Sequence, residues 1–177
     1  MDLERLFLKR QSTREYDSKP VSDEQIKKVC SLALLAPSAC NGQPYKLYAV
    51  TGEKAKPFAE NLKLHGRNGW TDNCPCFIVI EQKPPVEIKR GESVISNSSF
   101  IQNDVGILAS YITLAAEDMD LQTCIIGLRN EQGIAEFLNL PKDTKFPLVI
   151  ALGHKAEGYP VREKHRNAFE DTFKFIK

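Results

Sequence analysis

Two short apolar runs constrain the fold of this chain more than anything else in it. Cys76-Phe77-Ile78-Val79-Ile80 contains no polar residue, and Pro147-Leu148-Val149-Ile150-Ala151-Leu152 repeats the pattern before Gly153 closes it. A strand with one wet face alternates apolar and polar side chains. A continuous run of this length marks a strand buried on both faces. Two such strands need apolar layers above and below them. At 177 residues the chain can bury a core of that kind as a single domain, 1–177.

Helical patterns able to supply those layers are present. Asp2 caps a short helix with Leu3, Leu6 and Phe7 on one face. Ser22-Asp23-Glu24-Gln25 reads as a capping box, opening a helix with Ile26, Val29, Cys30 and Ala33 at helical spacing that Pro37 stops. A strand over 47–51 ends at Gly52, and Ala55, Phe58, Ala59 and Leu62 mark the next helix. The longest helix runs over 100–119, with Ile101, Val105, Leu108, Ile112, Ala115 and Met119 as its stripe. Its other faces are also fairly apolar, which suits a central helix or one buried in an oligomer.

Thr123-Cys124-Ile125-Ile126 is a brief apolar segment ended by Gly127. A short helix with Ile134, Phe137 and Leu138 ends before Pro141. Residues 82–98 are polar, contain Pro84, Pro85 and Gly91, and read as a loop or mobile excursion. The tail Thr172-Phe173-Lys174-Phe175-Ile176 alternates like a strand, after a polar stretch over 157–167. Helices and strands mix without strict βαβ alternation, which points to an α+β fold. No glycine-rich dinucleotide fingerprint follows a strand and no P-loop is present, so neither phosphate-binding class is supported.

A formal charge of +1 gives no general attraction to nucleic acid or to an anionic membrane. No run approaches the roughly 20 apolar residues of a membrane helix. The charged start of the chain is unlike a secretory signal, so the expected location is the cytoplasm. Five scattered cysteines, an odd number, fit reduced thiols. Cys74-Pro75-Cys76 has no second pair at ligand spacing, so no metal site is expected.

Any binding chemistry must therefore be local, and two segments offer it. Arg10, Ser12 and Arg14 alternate, so in an extended loop they point the same way. Two guanidiniums and a hydroxyl suit a phosphate. A solvated basic loop paired with carboxylates is the alternative. Lys164-His165-Arg166 forms a second basic cluster that could converge on the same anion. Pro37-Ser38-Ala39-Cys40-Asn41-Gly42-Gln43-Pro44 is a polar loop bracketed by prolines, stiff and rich in donors, suited to orienting a flat ring system. His65 and Arg67 lie in a polar loop that could also reach such a ligand.

In order and spacing these elements resemble the nitroreductase family of FMN-dependent oxidoreductases. The resemblance rests on R-x-S-x-R at residues 10–14 and on the P-S-x-x-N-x-Q-P loop at 37–44. Leu121-Gln122-Thr123-Cys124-Ile125-Ile126-Gly127 matches the family's small-residue turn loosely, and Lys164-His165-Arg166 matches a late K-x-R. The resemblance implies a central, mostly antiparallel sheet flanked by helices, with a C-terminal arm over about 160–177 reaching a partner subunit. It implies FMN bound at a homodimer interface, with no catalytic side chain required because the flavin carries the chemistry. Arg10, Gln11, Ser12 and Arg14 would hold the phosphate and ribityl chain, with Lys164 and Arg166 closing around the phosphate. Pro37, Ser38, Ala39 and Asn41 would touch the isoalloxazine from the partner. Ile125, Ile126 and Gly127 would lie along the ring, offering backbone amides.

The implied activity is hydride transfer from NADH or NADPH to a small-molecule acceptor such as a nitro compound or quinone. A specialised flavin enzyme with another donor, or a flavin-storing protein, would use the same site. The chain departs from the family at Gln122, where glycine is usual, and at Ile125, where an aromatic is frequent. It also lacks the larger insertions that shape a substrate helix in bigger members.

Overall fold

The computed structural model describes residues 2–177. In chain order the regular elements are α1 (Leu3–Lys9), α2 (Asp23–Ala33), β1 (Tyr45–Thr51), α3 (Ala55–Ala59), β2 (Cys76–Gln82) and β3 (Glu87–Arg90). There follow β4 (Ser93–Ser96), α4 (Ile101–Asp118), β5 (Gln122–Ile126), α5 (Glu131–Phe137), β6 (Leu148–Gly153) and α6 (Phe169–Thr172). The main sheet has the order β1-β2-β6-β5, and each neighbouring pair is antiparallel. Its central pair, β2 and β6, is made of the two continuous apolar runs, with Ile78 opposite Ile150 and Phe77 opposite Ala151.

Side chains along these strands alternate between two cores. Ile78, Ile80, Ile150 and Leu152 face one way, against Ile26 and Val29 of α2 and Val105, Leu108 and Ile112 of α4. Phe77, Val79, Val149 and Ala151 face the other way, against Phe58 of α3, Leu62 and Ile134 of α5. The fold is therefore α+β, an antiparallel sheet with helices on both faces.

Local signals explain where the helices begin. Asp2 accepts a hydrogen bond from the Glu4 N–H at the start of α1. Ser22 Oγ accepts from the Gln25 N–H at 3.2 Å, and Gln25 Oε1 accepts from the Ser22 N–H at 3.1 Å. That reciprocal pair satisfies two orphan groups of α2 at once. On α4 the buried stripe is joined by apolar residues elsewhere, with Ile107 and Tyr111 exposed at 37% and 40%.

Two expectations are corrected. Residues 82–98 are not an irregular excursion, because β3 and β4 form an antiparallel hairpin there. Its two-residue turn has Gly91 at φ +63° in the first central position, where glycine is free of the steric cost other residues meet. The tail is not a strand either. It makes one helical turn, α6, and then runs without regular structure. Alternation alone cannot make a strand without a neighbour to complete its ladder. Phe169, Phe173 and Phe175 pack on one another instead, with ring centroids 4.9 and 4.8 Å apart.

The two-sided burial of β2 predicts a large cost for truncation. Phe77 is fully buried and its ring lies 5.4 Å from that of Phe58. Phe77→Ala should lower unfolding free energy by about 3–5 kcal/mol in urea, with little change in the slope of the transition.

Candidate functional site: a cationic cleft at the sheet edge

The site begins where α1 ends. Lys9 Nζ lies 2.6 Å from Asp120 Oδ1 and 3.3 Å from the buried Glu117 carboxylate, tying α1 to the end of α4. These carboxylates raise the Lys9 ammonium above its ordinary value, with the Asp120 hydrogen bond the largest cause and burial opposing it. The chain then turns along the outer strand β5. Thr13 donates its N–H to the Thr123 carbonyl at 2.9 Å, and Ser12 bridges Thr123 in parallel. Gln11 and Thr13 are buried while Arg10, Ser12 and Arg14 are not, so the alternation read from the sequence is present.

The C-terminal segment lies against these residues and is stapled to them by polar contacts. Gln11 Nε2 donates to the Pro160 carbonyl at 2.9 Å, and Gln11 Oε1 accepts from the Arg162 N–H at 3.0 Å. The Arg162 guanidinium donates to the Ser12 carbonyl, and Lys164 Nζ donates to the Arg10 carbonyl at 2.5 Å. The Arg14 N–H donates to the Tyr159 hydroxyl at 3.2 Å. From residue 160 onward every residue except Lys164 is exposed, so no apolar burial anchors this segment.

Between the two segments is a cleft of about 560 Å³ lined by Arg10, Gln11, Ser12, Arg14, Arg162, Glu163, Lys164, His165 and Arg166. Its lining carries five guanidinium or ammonium groups against one carboxylate. Neither Arg10 nor Arg14 forms an ion pair with a carboxylate among the described residues. Partial burial pulls the Lys164 ammonium below its ordinary value, and the charges of Arg10 and Arg166 pull it further. A cluster whose members oppose each other's charge is relieved by an anion.

β5 runs beside the 10–14 wall of the cleft, paired to it through Thr123. Burial pushes the Cys124 thiol up, and nearby Arg14 and Ser12 only partly offset this, so Cys124 is a neutral buried thiol. Gln122, the departure from the family pattern, is buried and clips two segments together. Its Oε1 accepts from the Lys155 N–H at 2.9 Å and its Nε2 donates to the Asp120 carbonyl at 3.1 Å. Ile125 is 41% exposed, whereas the Ile126 side chain belongs to the core. Gly127 has open space where a Cβ would project. The Arg129 guanidinium donates to the Gly127 carbonyl and pairs with Glu131 at 2.6 Å.

Of the residues singled out in the sequence, the structure gathers Arg10, Gln11, Ser12, Arg14, Lys164 and Arg166 into this one cleft. Pro37, Ser38, Ala39 and Asn41 do not line it within the same chain. They form a compact loop leading into β1, with Pro37 and Asn41 exposed. Ile125, Ile126 and Gly127 are not among its lining residues, and neither are His65 and Arg67. Cys74 and Cys76 are buried thiols, and burial pushes Cys74 up to about 12.

Sequence reasoning missed Arg162, Tyr159 and Arg129. Arg162 stands two residues before Lys164 and could have been included in the same basic run. Nothing local marks Tyr159, whose partner lies 145 residues away.

The family model for the nitroreductase family matches residues 8–64 and 54–154. The chain belongs to the nitroreductase family. A Staphylococcus aureus protein named NADPH-dependent oxidoreductase is 26% identical over 181 residues, covering 95% of this chain and 70% of its relative. A nitroreductase family protein from Streptococcus pneumoniae superposes with a TM-score of 0.81 at 18% identity, over 99% of this chain and 100% of the other. An Exiguobacterium sibiricum protein solved in complex with FMN also gives 0.81, at 20% identity, over 99% and 98% of the two chains.

The polar stapling is testable in this family member without any ligand. Removing both Gln11 bonds, about 1 kcal/mol each, frees the C-terminal segment. Gln11→Ala should raise the rate of tryptic cleavage after Arg162, Lys164 and Arg166 by about tenfold or more in phosphate-free buffer, read by intact mass.

Proposed function

We propose that this chain, as an FMN-dependent oxidoreductase of the nitroreductase family, takes hydride from NADH or NADPH. It passes the electrons to nitro compounds, quinones or related conjugated electrophiles by a ping-pong mechanism. The observation that carries the reading is the cleft, in which five cations surround one polar space while Lys164 is opposed by its own neighbours. A phosphomonoester brings a charge of about −1.5 to −2 at neutral pH and three acceptor oxygens. The donors present fit it, since Arg10 and Arg14 pair with no carboxylate among the described residues and Ser12 lines the same cleft with its hydroxyl.

Bound FMN supplies the redox chemistry through its isoalloxazine ring. The residues of this chain bind and orient. Arg10, Ser12 and Arg14 hold the phosphate, with Lys164 and Arg166 closing over it, and Gln11 acts by fixing the 160–162 backbone. The exposed Ile125 and the open face at Gly127 support a ring lying along the end of β5. Arg129, by holding the Gly127 carbonyl, sets the direction of the backbone amides there.

A second copy of the chain would complete the site with Pro37, Ser38, Ala39 and Asn41. Their exclusion from the cleft of their own chain supports this, as does an open apolar groove of about 630 Å³ between α1, α2 and α4. The exposed aromatic tail, with Phe175 at 73% and Ile176 at 93%, supports an arm that packs on a partner. No helix among the described residues is long and apolar enough to cross a membrane. All five cysteines are free, which supports a reducing compartment such as the cytoplasm.

The test is FMN retention. Each charge-assisted contact is worth about 1.5–3 kcal/mol, so Arg10→Ala with Arg14→Ala should weaken FMN binding by a hundredfold or more, measured by quenching of flavin fluorescence. Affinity unchanged in the double variant would remove these arginines from the phosphate site.

A further inference from the structure

The loop over 37–44 is held in a conformation that its own residues disfavour. Cys40, Asn41 and Gln43 have φ of +55°, +50° and +44°. Asn tolerates this region, but Cys and Gln have no such allowance. Strained backbone of this kind persists only where the surroundings over-determine it, and it clusters at functional sites.

Two buried polar residues supply the constraint from the α4 side. Asp104, in the first turn of α4, is 3% exposed, and its Oδ1 accepts from the Ala39 N–H at 3.0 Å. Asn97, fully buried, accepts from the Val86 N–H at 2.7 Å through Oδ1 and donates its own N–H to the Val86 carbonyl at 3.2 Å. Its amide presses against Gly42, where an added Cβ would lie 2.3 Å from Asn97 Nδ2.

Three buried polar atoms here, Asp104 Oδ2, Tyr45 OH and Asn97 Nδ2, have no hydrogen-bond partner among the described residues. Asp104 also adds to burial in pushing the Tyr45 phenol up, so the two groups are neighbours. Asp104 pairs with no cation among the described residues, so its carboxyl is costly to bury, and the N-terminus of α4 offsets only part of that. A purely structural site could use an apolar residue at lower cost.

We propose that Asp104 is a positioning residue for the flavin ring, holding the 37–43 loop through the Ala39 N–H in the shape it presents to the ring bound by the partner subunit. This rests on the reading that the loop contacts the ring. Asn97 is the second jaw of the clamp. It also closes the base of the β3–β4 hairpin, so hairpin and loop are set by one residue.

The experiment uses the full chain as wild type and as Asp104→Ala, Asp104→Asn and Gly42→Ala. FMN affinity is read by fluorescence quenching, the ring environment by visible circular dichroism, and affinity of the FMN-free protein for inorganic phosphate by thermal shift. Asp104→Ala should weaken FMN about tenfold and change the visible spectrum, while phosphate affinity stays within twofold. Asp104→Asn keeps an acceptor oxygen and should stay within about twofold of wild type for FMN. Gly42→Ala, whose φ of −75° suits alanine, should reproduce the spectral change with Asp104 in place.

An Asp104→Ala protein with wild-type FMN affinity and spectrum overturns the clamp alone. So does Asp104→Asn behaving like Asp104→Ala, or a parallel loss of phosphate affinity, which would mark general unfolding. Wild-type protein that takes up no FMN overturns the functional reading and the clamp with it.

Discussion

The structure depends on burying β2 and β6 on both faces at once. Neither strand offers a polar face to water, so α2 and α4 must cover one side and α3 and α5 the other. Antiparallel pairing then places β5 beside β6 at the edge, with unpaired backbone groups facing outward. Residues 12 and 13 take up part of that edge through Thr123, and this brings Arg10, Ser12 and Arg14 to the surface in register. The basic cleft is thus a consequence of how the sheet ends.

The cleft itself is held by different physics. The core elements are fixed by apolar burial, but the 159–166 wall is fixed by side chains bonding to backbone across about 150 residues of sequence. Such bonds are individually modest, and five like charges work against them. A site assembled this way would gain order from an anion bound among those charges. Its proposed other half, the 37–44 loop, is the opposite case, with strain imposed by buried Asp104 and Asn97 before any ligand arrives.

The parts legible in the sequence are those encoded locally. Continuous apolar runs revealed β2 and β6, a capping box revealed α2, and the spacing of Arg10, Ser12 and Arg14 revealed a shared face. The hairpin was hidden because Glu87, Lys89, Arg90, Ser93 and Ser96 carry little burial signal, and only Gly91 marks its turn. The tail misled because period-two alternation specifies a strand only when a ladder partner exists. Gln11 lines the cleft, but its bonds to residues 160 and 162 join segments too far apart in sequence to be read locally. Nothing local marks Asp104, and its burial under the 37–44 loop follows only from the tertiary fold.

The central claim is that one chain provides the phosphate half of a flavin site and a second copy the ring half. Sedimentation analysis with FMN across a range of protein concentrations tests it most directly. The account predicts two FMN per dimer, FMN absorbance moving only with the dimer, and dimer dissociation weakening when FMN is present. FMN bound one-to-one by a monomer, with affinity independent of protein concentration, would contradict it.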